Sequence, residues 1–126
     1  MLSITPENME LLAMQIIDLL LEQNLMEDTV LYANGQSFYT GLPQGGVRRT
    51  TPGGNLVRAF PCPGEDIPGD FKNPDTVTAT FEGNRMYREM NGGSGKLLEA
   101  INGLLSPYGL YLERGYDWNF YAAADD

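Results

Sequence analysis

Arg48, Arg49 and Arg58 flank Thr50-Thr51-Pro52-Gly53-Gly54 and form the one concentrated basic group of the chain. Guanidinium groups grip phosphate or carboxylate through paired hydrogen bonds. A short distance downstream, Glu65, Asp66, Asp70 and Asp75 bracket Ile67-Pro68-Gly69. Carboxylates held close together bind a divalent cation or divide acid and base work. If folding brought both groups into one pocket, they would form a small-molecule or anion site, or the centre of a small hydrolase. The acidic spacing departs from the calcium-binding loop, and a solvated turn is the commoner use of such residues. In so acidic a chain, arginines are more often spent pairing with neighbouring acids or with an acidic partner. No metal or cofactor is expected.

Gly92-Gly93-Ser94-Gly95-Lys96 resembles the end of a phosphate-binding loop only in part. The full pattern requires an earlier glycine where Met90 or Asn91 stands, and a hydroxyl residue where Leu97 stands. What remains is a helix entry at which Ser94, Gly95 and Lys96 could meet an anion, the plainer use being a Ser94 cap. Cys62 sits between Pro61 and Pro63 in a chain without histidine, so nothing in the sequence marks it as an activated nucleophile. No catalytic residue is assigned.

The absence of histidine removes the commonest general base and metal ligand. Seventeen acidic residues oppose eight basic ones, a net charge of −9, and the chain has no lysine or arginine before Arg48. Such a charge repels nucleic acid backbones and favours a protein partner with a basic surface. The unpaired Cys62 suits a reducing compartment. No stretch reaches the roughly 18–20 apolar residues of a membrane span, and Met1-Leu2-Ser3-Ile4 lacks the pattern of a secretory signal. The expected location is the cytoplasm, with no membrane association.

Partner contacts are expected in two places. One is the wet side of the first helix, with Asp18 and Glu22. The other is the aromatic C-terminal stretch, where Tyr111 and Tyr121 remain available if Trp118 and Phe120 enter the core together.

The elements that must position these groups follow from periodicity. Thr5-Pro6 is a helix start, and Met9, Leu12, Ala13, Ile16, Ile17 and Leu20 form an apolar stripe behind it. Leu11, Met14, Leu19 and Leu21 widen that stripe beyond what one core face requires, which makes self-association through this helix, or through an open sheet edge, a candidate. Asn34-Gly35 joins Thr29–Ala33 to Gln36–Thr40 as a type I′ hairpin, with Val30 and Tyr32 on one face and Leu31 and Ala33 on the other. Residues 41–74 are dense in glycine and proline, and only Asn55–Phe60 reads there as a short strand.

Thr76–Glu82 alternates as a half-buried strand, and Gly83-Asn84 turns the chain into a further strand at Arg85–Met90. Leu97, Leu98, Ile101, Leu104 and Leu105 then share a helix that ends at Ser106-Pro107. Leu110–Arg114 and Trp118–Ala122 close the chain as a third hairpin. The expectation is a single domain over residues 1–126 of the α+β class. Its mainly antiparallel sheet would be built from three hairpins with two helices packed against it, in the order α-β-β-loop(short β)-β-β-α-β-β. Three functional readings follow: a non-catalytic interaction or regulatory module with an acidic surface, a ligand binder or hydrolase at the arginine loop, and a homo-oligomeric accessory protein.

Overall fold

In a computed structural model, which describes residues 1–124, the chain forms one seven-stranded antiparallel sheet. The elements are α1 (Pro6–Glu22), β1 (Thr29–Ala33), β2 (Gln36–Tyr39), β3 (Val47–Thr50), β4 (Leu56–Pro61), β5 (Thr78–Phe81), α2 (Asn84–Gly92), α3 (Lys96–Leu105), β6 (Leu110–Arg114) and β7 (Asn119–Ala124). Short 3-10 turns lie at Gly64–Asp66 and Ser106–Tyr108. The strands run across the sheet in the order β3-β4-β2-β1-β5-β7-β6. The α+β class with an antiparallel sheet is therefore the observed one.

The local signals operate as their chemistry requires. Thr5 Oγ1 accepts from the Asn8 N–H at 3.1 Å and caps α1. Asn34 and Gly35 have φ of 53° and 67°, and Ala33 pairs with Gln36 across the turn. The register then places Val47, Ala59, Phe38, Leu31, Ala79 and Phe120 in one row across six strands. Five of these, all but Val47, belong to the apolar core that α1, α2 and α3 cover with Met9, Leu12, Ile16, Leu20, Met86, Met90, Ile101 and Leu105.

Two parts of the expected element order are corrected. Arg85–Met90 belongs to helix α2, not to a strand. Met86 and Met90 stand four residues apart and are 1% and 2% exposed, while Arg85, Tyr87 and Arg88 face solvent. A strand would have put Arg88 on the same face as the two methionines, whereas a helical turn keeps the charge out of the core. Three helices pack on the sheet rather than two. The second correction is β3, which alternation could not reveal because an edge strand of Val-Arg-Arg-Thr has little apolar pattern. It pairs with β4 across a turn closed by Thr51 N to Asn55 O at 2.9 Å, so the three hairpins are β1–β2, β3–β4 and β6–β7. β5 and β6 run in the same direction with β7 between them, joined by the α2–α3 crossover.

Among the described residues the other face of the sheet carries no α-helix. Residues 62–77 cross it as irregular chain. Asn119 Nδ2 donates to Phe71 O at 2.5 Å, and Asn73 Nδ2 and Thr76 Oγ1 donate to Ala122 O at 3.3 and 2.6 Å. The Asn73 N–H donates to Thr78 Oγ1 at 3.2 Å. Beneath this segment β5 is buried on both sides, with Thr78 and Ala79 each 0% exposed, rather than half-buried. At the far edge, Asn102 Oδ1 of α3 accepts from the Leu112 N–H at 2.8 Å and occupies an outward-pointing donor of β6.

The helical face of α2 gives a direct check. Met86→Ala should lower the unfolding free energy by about 2–5 kcal/mol, while Arg88→Ala should change it by no more than about 0.5 kcal/mol. Urea unfolding monitored by circular dichroism measures both.

Candidate functional site

The three arginines are divided by the pleat. Arg48 and Arg58 are cross-strand neighbours on the helix-free face. Arg49 points to the other side, where its Nε lies 3.8 Å from Glu10 Oε2 of α1 and makes no hydrogen bond. Glu10 also accepts from Gln36 Nε2 at 2.5 Å and Asn34 Nδ2 at 3.3 Å. Arg58 Nη1 donates to Gly45 O at 3.2 Å.

The downstream carboxylates lie elsewhere. Glu65 and Asp66 occupy the 3-10 turn beyond the end of β4, and Arg58 stands four residues before Cys62, about 13 Å along an extended chain. Burial raises the pKa of Cys62, the neighbouring Asp66 charge raises it further, and Lys72 partly opposes both. Asp70 follows Gly69, which packs against Tyr116 and Trp118, and Asp75 sits in a local turn closed on Asn73. Among the described residues no ion pair joins Arg48, Arg49 or Arg58 to Glu65, Asp66, Asp70 or Asp75.

At the entry to α3 the N-cap is Gly95, with φ +86°, rather than Ser94. Ser94 Oγ accepts from the Lys96 N–H only at 3.4 Å. The Glu89 carboxylate lines the same cleft as Ser94 and Lys96, and its charge opposes an anion there. Glu22 is exposed at the end of α1. Tyr111 and Tyr121 lie on the helix-free face of β6 and β7. Trp118 precedes β7 and does not share the buried position of Phe120; it is 36% exposed.

Asp18 has an internal task. Its carboxylate accepts from Thr51 Oγ1, from the Gly53 N–H at 2.7 Å and from Asn55 Nδ2 at 2.7 Å, fastening the β3–β4 turn to α1. Burial pushes its pKa up, but the hydrogen bonds from Thr51, Asn55 and Gly53 together outweigh burial and hold it below the ordinary value of 3.8.

What the fold does assemble is a groove in two adjoining chambers, the first over the helix-free face and the second at the end of β5, where Phe81 and Tyr87 of α2 also line it. The first, about 530 Å³, is lined by Glu27, Asp28, Glu82, Tyr32, Tyr39 and Pro68, among others. The second, about 650 Å³, is formed by Pro68, Thr80, Phe81, Glu82, Tyr87 and Trp118. Pro68, Thr80 and Glu82 belong to both, and no lysine or arginine lines either. The antiparallel pairing of β1 with β5 sets Asp28 beside Glu82, whose N–H donates to Asp28 O at 3.1 Å. Tyr32 OH lies 3.4 Å from Thr80 Oγ1. Burial raises the Tyr32 pKa, with the Thr80 hydrogen bond opposing it. Trp118 is stacked on Tyr116 at 4.8 Å, and Tyr116 meets Phe71 edge-on at 4.9 Å.

Chemically, the groove offers negative charge and aromatic faces to a cationic or apolar group. Arg85 donates to Asn24 O at 3.4 Å in the neighbouring cleft beside Glu27 and Asp28, and offsets part of their charge from behind. Among the described residues no group of three His, Cys, Asp or Glu is arranged to hold a metal ion, and no helix is long and apolar enough to cross a membrane. Glu27, Asp28, Glu82, Tyr32, Tyr39 and Tyr87 were not singled out from the sequence. The signal available was acidic residues at the start of β1 and the end of β5; only the β1–β5 pairing makes them neighbours.

Comparison with known proteins finds no matching family model, no matching curated protein and no matching solved structure.

The Asp18 clamp sets a pH dependence. A lowered carboxylate pKa stabilises the fold fully above the unfolded value near 3.8 and loses that contribution as pH falls through the folded value. Asp18→Asn should therefore lower stability at neutral pH and reduce the slope of stability against pH below about 4. Thermal unfolding of both proteins between about pH 2.5 and 7 measures the effect.

Proposed function

We propose that this chain is a non-catalytic protein-interaction module that engages a basic partner protein through the two-chambered groove beside Pro68. One observation carries the reading: the groove combines Glu27, Asp28 and Glu82 with Tyr32, Tyr39, Tyr87 and Trp118, and no cationic side chain lines it. The net charge of −9 acts in the same direction at longer range, steering a basic surface inward. Four of the eight cations donate to the fold's own acceptors, and a fifth stands 3.8 Å from a carboxylate. Arg49 faces Glu10, Arg58, Lys72 and Arg85 donate to backbone carbonyls, and Arg114 donates to Met90 O and Asn91 Oδ1.

The acidic contact then lies at the groove and not on α1. Asp18 is engaged by three donors, and a partner that competed for it would have to release the β3–β4 turn. The aromatic contribution likewise centres on Trp118 and the groove tyrosines rather than on Tyr111 and Tyr121. The free Cys62 thiol accords with a reducing, cytoplasmic setting.

Titration calorimetry with a Lys- and Arg-rich peptide tests the reading. Binding should be measurable at about 50 mM NaCl and weaken by about tenfold or more at about 300 mM, with a Glu-rich peptide of the same length inert. Absence of binding at low salt, or an affinity indifferent to salt, would count against the module.

A further inference from the structure

We infer that the outer edge of β3 takes up an extended acidic segment of a partner protein as an added antiparallel strand, with one carboxylate of that segment meeting Arg48. Three strand spacings separate β3 from β1, about 14 Å, so this surface is distinct from the groove and goes beyond the reading above.

The backbone supplies the first half of the site. In an antiparallel pair, residues that exchange N–H···O bonds alternate with residues that turn those groups outward. The Thr51 N–H donates to Asn55 O at 2.9 Å, so Thr51 faces β4, and by alternation Arg49, opposite Val57, and Val47, opposite Ala59, face it too. Arg48 and Thr50 therefore direct their N–H and C=O groups away from the sheet. The far side of β4 agrees. The Cys62 N–H donates to Gly35 O at 2.8 Å, which turns Phe60 and Arg58 toward β2 and leaves Val57 and Ala59 for β3. Among the described residues nothing pairs with the outward backbone groups of Arg48 and Thr50. The opposite edge is treated differently, since Asn102 occupies the outward Leu112 N–H of β6. The chain blocks one edge with its own side chain and leaves the other as a template for pairing.

The edge is ordered before any partner arrives. At its exit, Asp18 fastens the Thr51–Asn55 turn to α1. At its entry, a side chain added at Gly46 would come within 2.7 Å of Ala59 O and 2.9 Å of the Phe60 ring, and Gly45 O accepts from Arg58 Nη1 at 3.2 Å. The incoming loop thus lies against β4 and does not cover the outer side of β3. A preordered strand loses little freedom on pairing.

The side chains select the partner's charge. Arg48 is exposed, and among the described residues it has no ion pair, whereas Arg49 stands beside Glu10. A second copy fits poorly, because joining two β3 edges would set Arg48 and Arg49 of one against those of the other. In an antiparallel partner the residue opposite Arg48 shares its face. The residue before it lies beside Arg49, and the residue after it lies beside the exposed Val47. The fitting segment therefore reads acid, acid, apolar in chain order. The net charge of −9 opposes such a segment at long range, but at about 0.15 M salt charges more than about 8 Å apart are largely screened. The ladder bonds supply most of the affinity and Arg48 the selection.

The probe is a capped peptide, Val-Thr-Glu-Glu-Val-Thr, added to the full chain at about 0.15 M salt. Affinity is read by calorimetry and amide hydrogen exchange by NMR. The peptide should bind saturably and slow exchange at the Arg48 and Thr50 amides, while the Arg49 amide, already facing β4, stays as it was. A peptide with Lys-Lys in place of Glu-Glu should bind about fivefold or more weakly, and Arg48→Ala should weaken the Glu-Glu peptide about threefold. Thr50→Pro removes one outward donor at a position where an edge strand tolerates proline, and should abolish binding with the circular dichroism spectrum unchanged. N-methylation of the second Glu removes the matching donor from the peptide and should abolish binding without altering the protein at all.

No binding of the Glu-Glu peptide, equal affinity for the Lys-Lys peptide, or full affinity after N-methylation would each overturn the inference. Binding that leaves the Arg48 and Thr50 amides exchanging as before would place the contact elsewhere and overturn it as well. Protection of those two amides without peptide, with light scattering showing a dimer, would make a second copy the occupant and have the same effect. None of these outcomes bears on the groove, whose test is the Lys- and Arg-rich peptide.

Discussion

A sheet buries two faces, and this chain has helices for only one of them. That constraint governs the remainder of the structure. The helix-covered face is solved by ordinary apolar packing, with Leu31, Phe38, Ala79 and Phe120 under α1, α2 and α3. The other face is covered by largely irregular chain, in which only a few backbone groups pair locally, such as Ile67 N–H with Gly64 O and Thr76 N–H with Asn73 O. Side chains take over that work. Asn119 holds the Phe71 carbonyl, Asn73 and Thr76 hold that of Ala122, and Lys72 holds that of Ile67 at 2.7 Å. This accounts for polar residues that are fully buried on β5 and β7, Thr78 and Asn119 among them.

The groove lies where that cover is incomplete. Pro68 reaches over the sheet but leaves space on both sides, one bounded by the turn before β1 and the other by Trp118 and α2. Its acidity has a topological origin. Asp28 and Glu82 mark the beginning of one strand and the end of another, both placed there by turn chemistry, and antiparallel pairing sets them side by side. Both are exposed, and among the described residues neither carboxylate is shown accepting donors as Asp18 does.

Much of the scaffold could be read in the residues. Thr5-Pro6, the stripe from Met9 to Leu20, Asn34-Gly35 and the alternation around Val77–Phe81 each act over a few residues, so local chemistry is enough. Arg85–Met90 is ambiguous in sequence because Met-Tyr-Arg-Glu-Met fits a period of two as well as a four-residue helical repeat, and only the core behind Met86 and Met90 decides between them. Strand β3 failed because its partner β4 supplies most of the apolar contact. The site was less legible than the scaffold. Arg48 and Arg49 are adjacent in sequence, but a strand sends them to opposite faces. Asp18, read as a wet helix face, is drawn under a turn more than thirty residues away.

By itself the sequence determined composition and local geometry: a net negative charge, no imidazole, a capped amphipathic helix, an Asn-Gly hairpin and the α+β class. Tertiary structure alone decided which charges act outward. Glu10 and Asp18 are recruited to hold β-strands, while Glu27, Asp28 and Glu82 are left around a groove with Trp118. The reason is physical. Whether a carboxylate is a structural acceptor or a free charge depends on which donors lie within about 3 Å, and those donors come from distant parts of the chain.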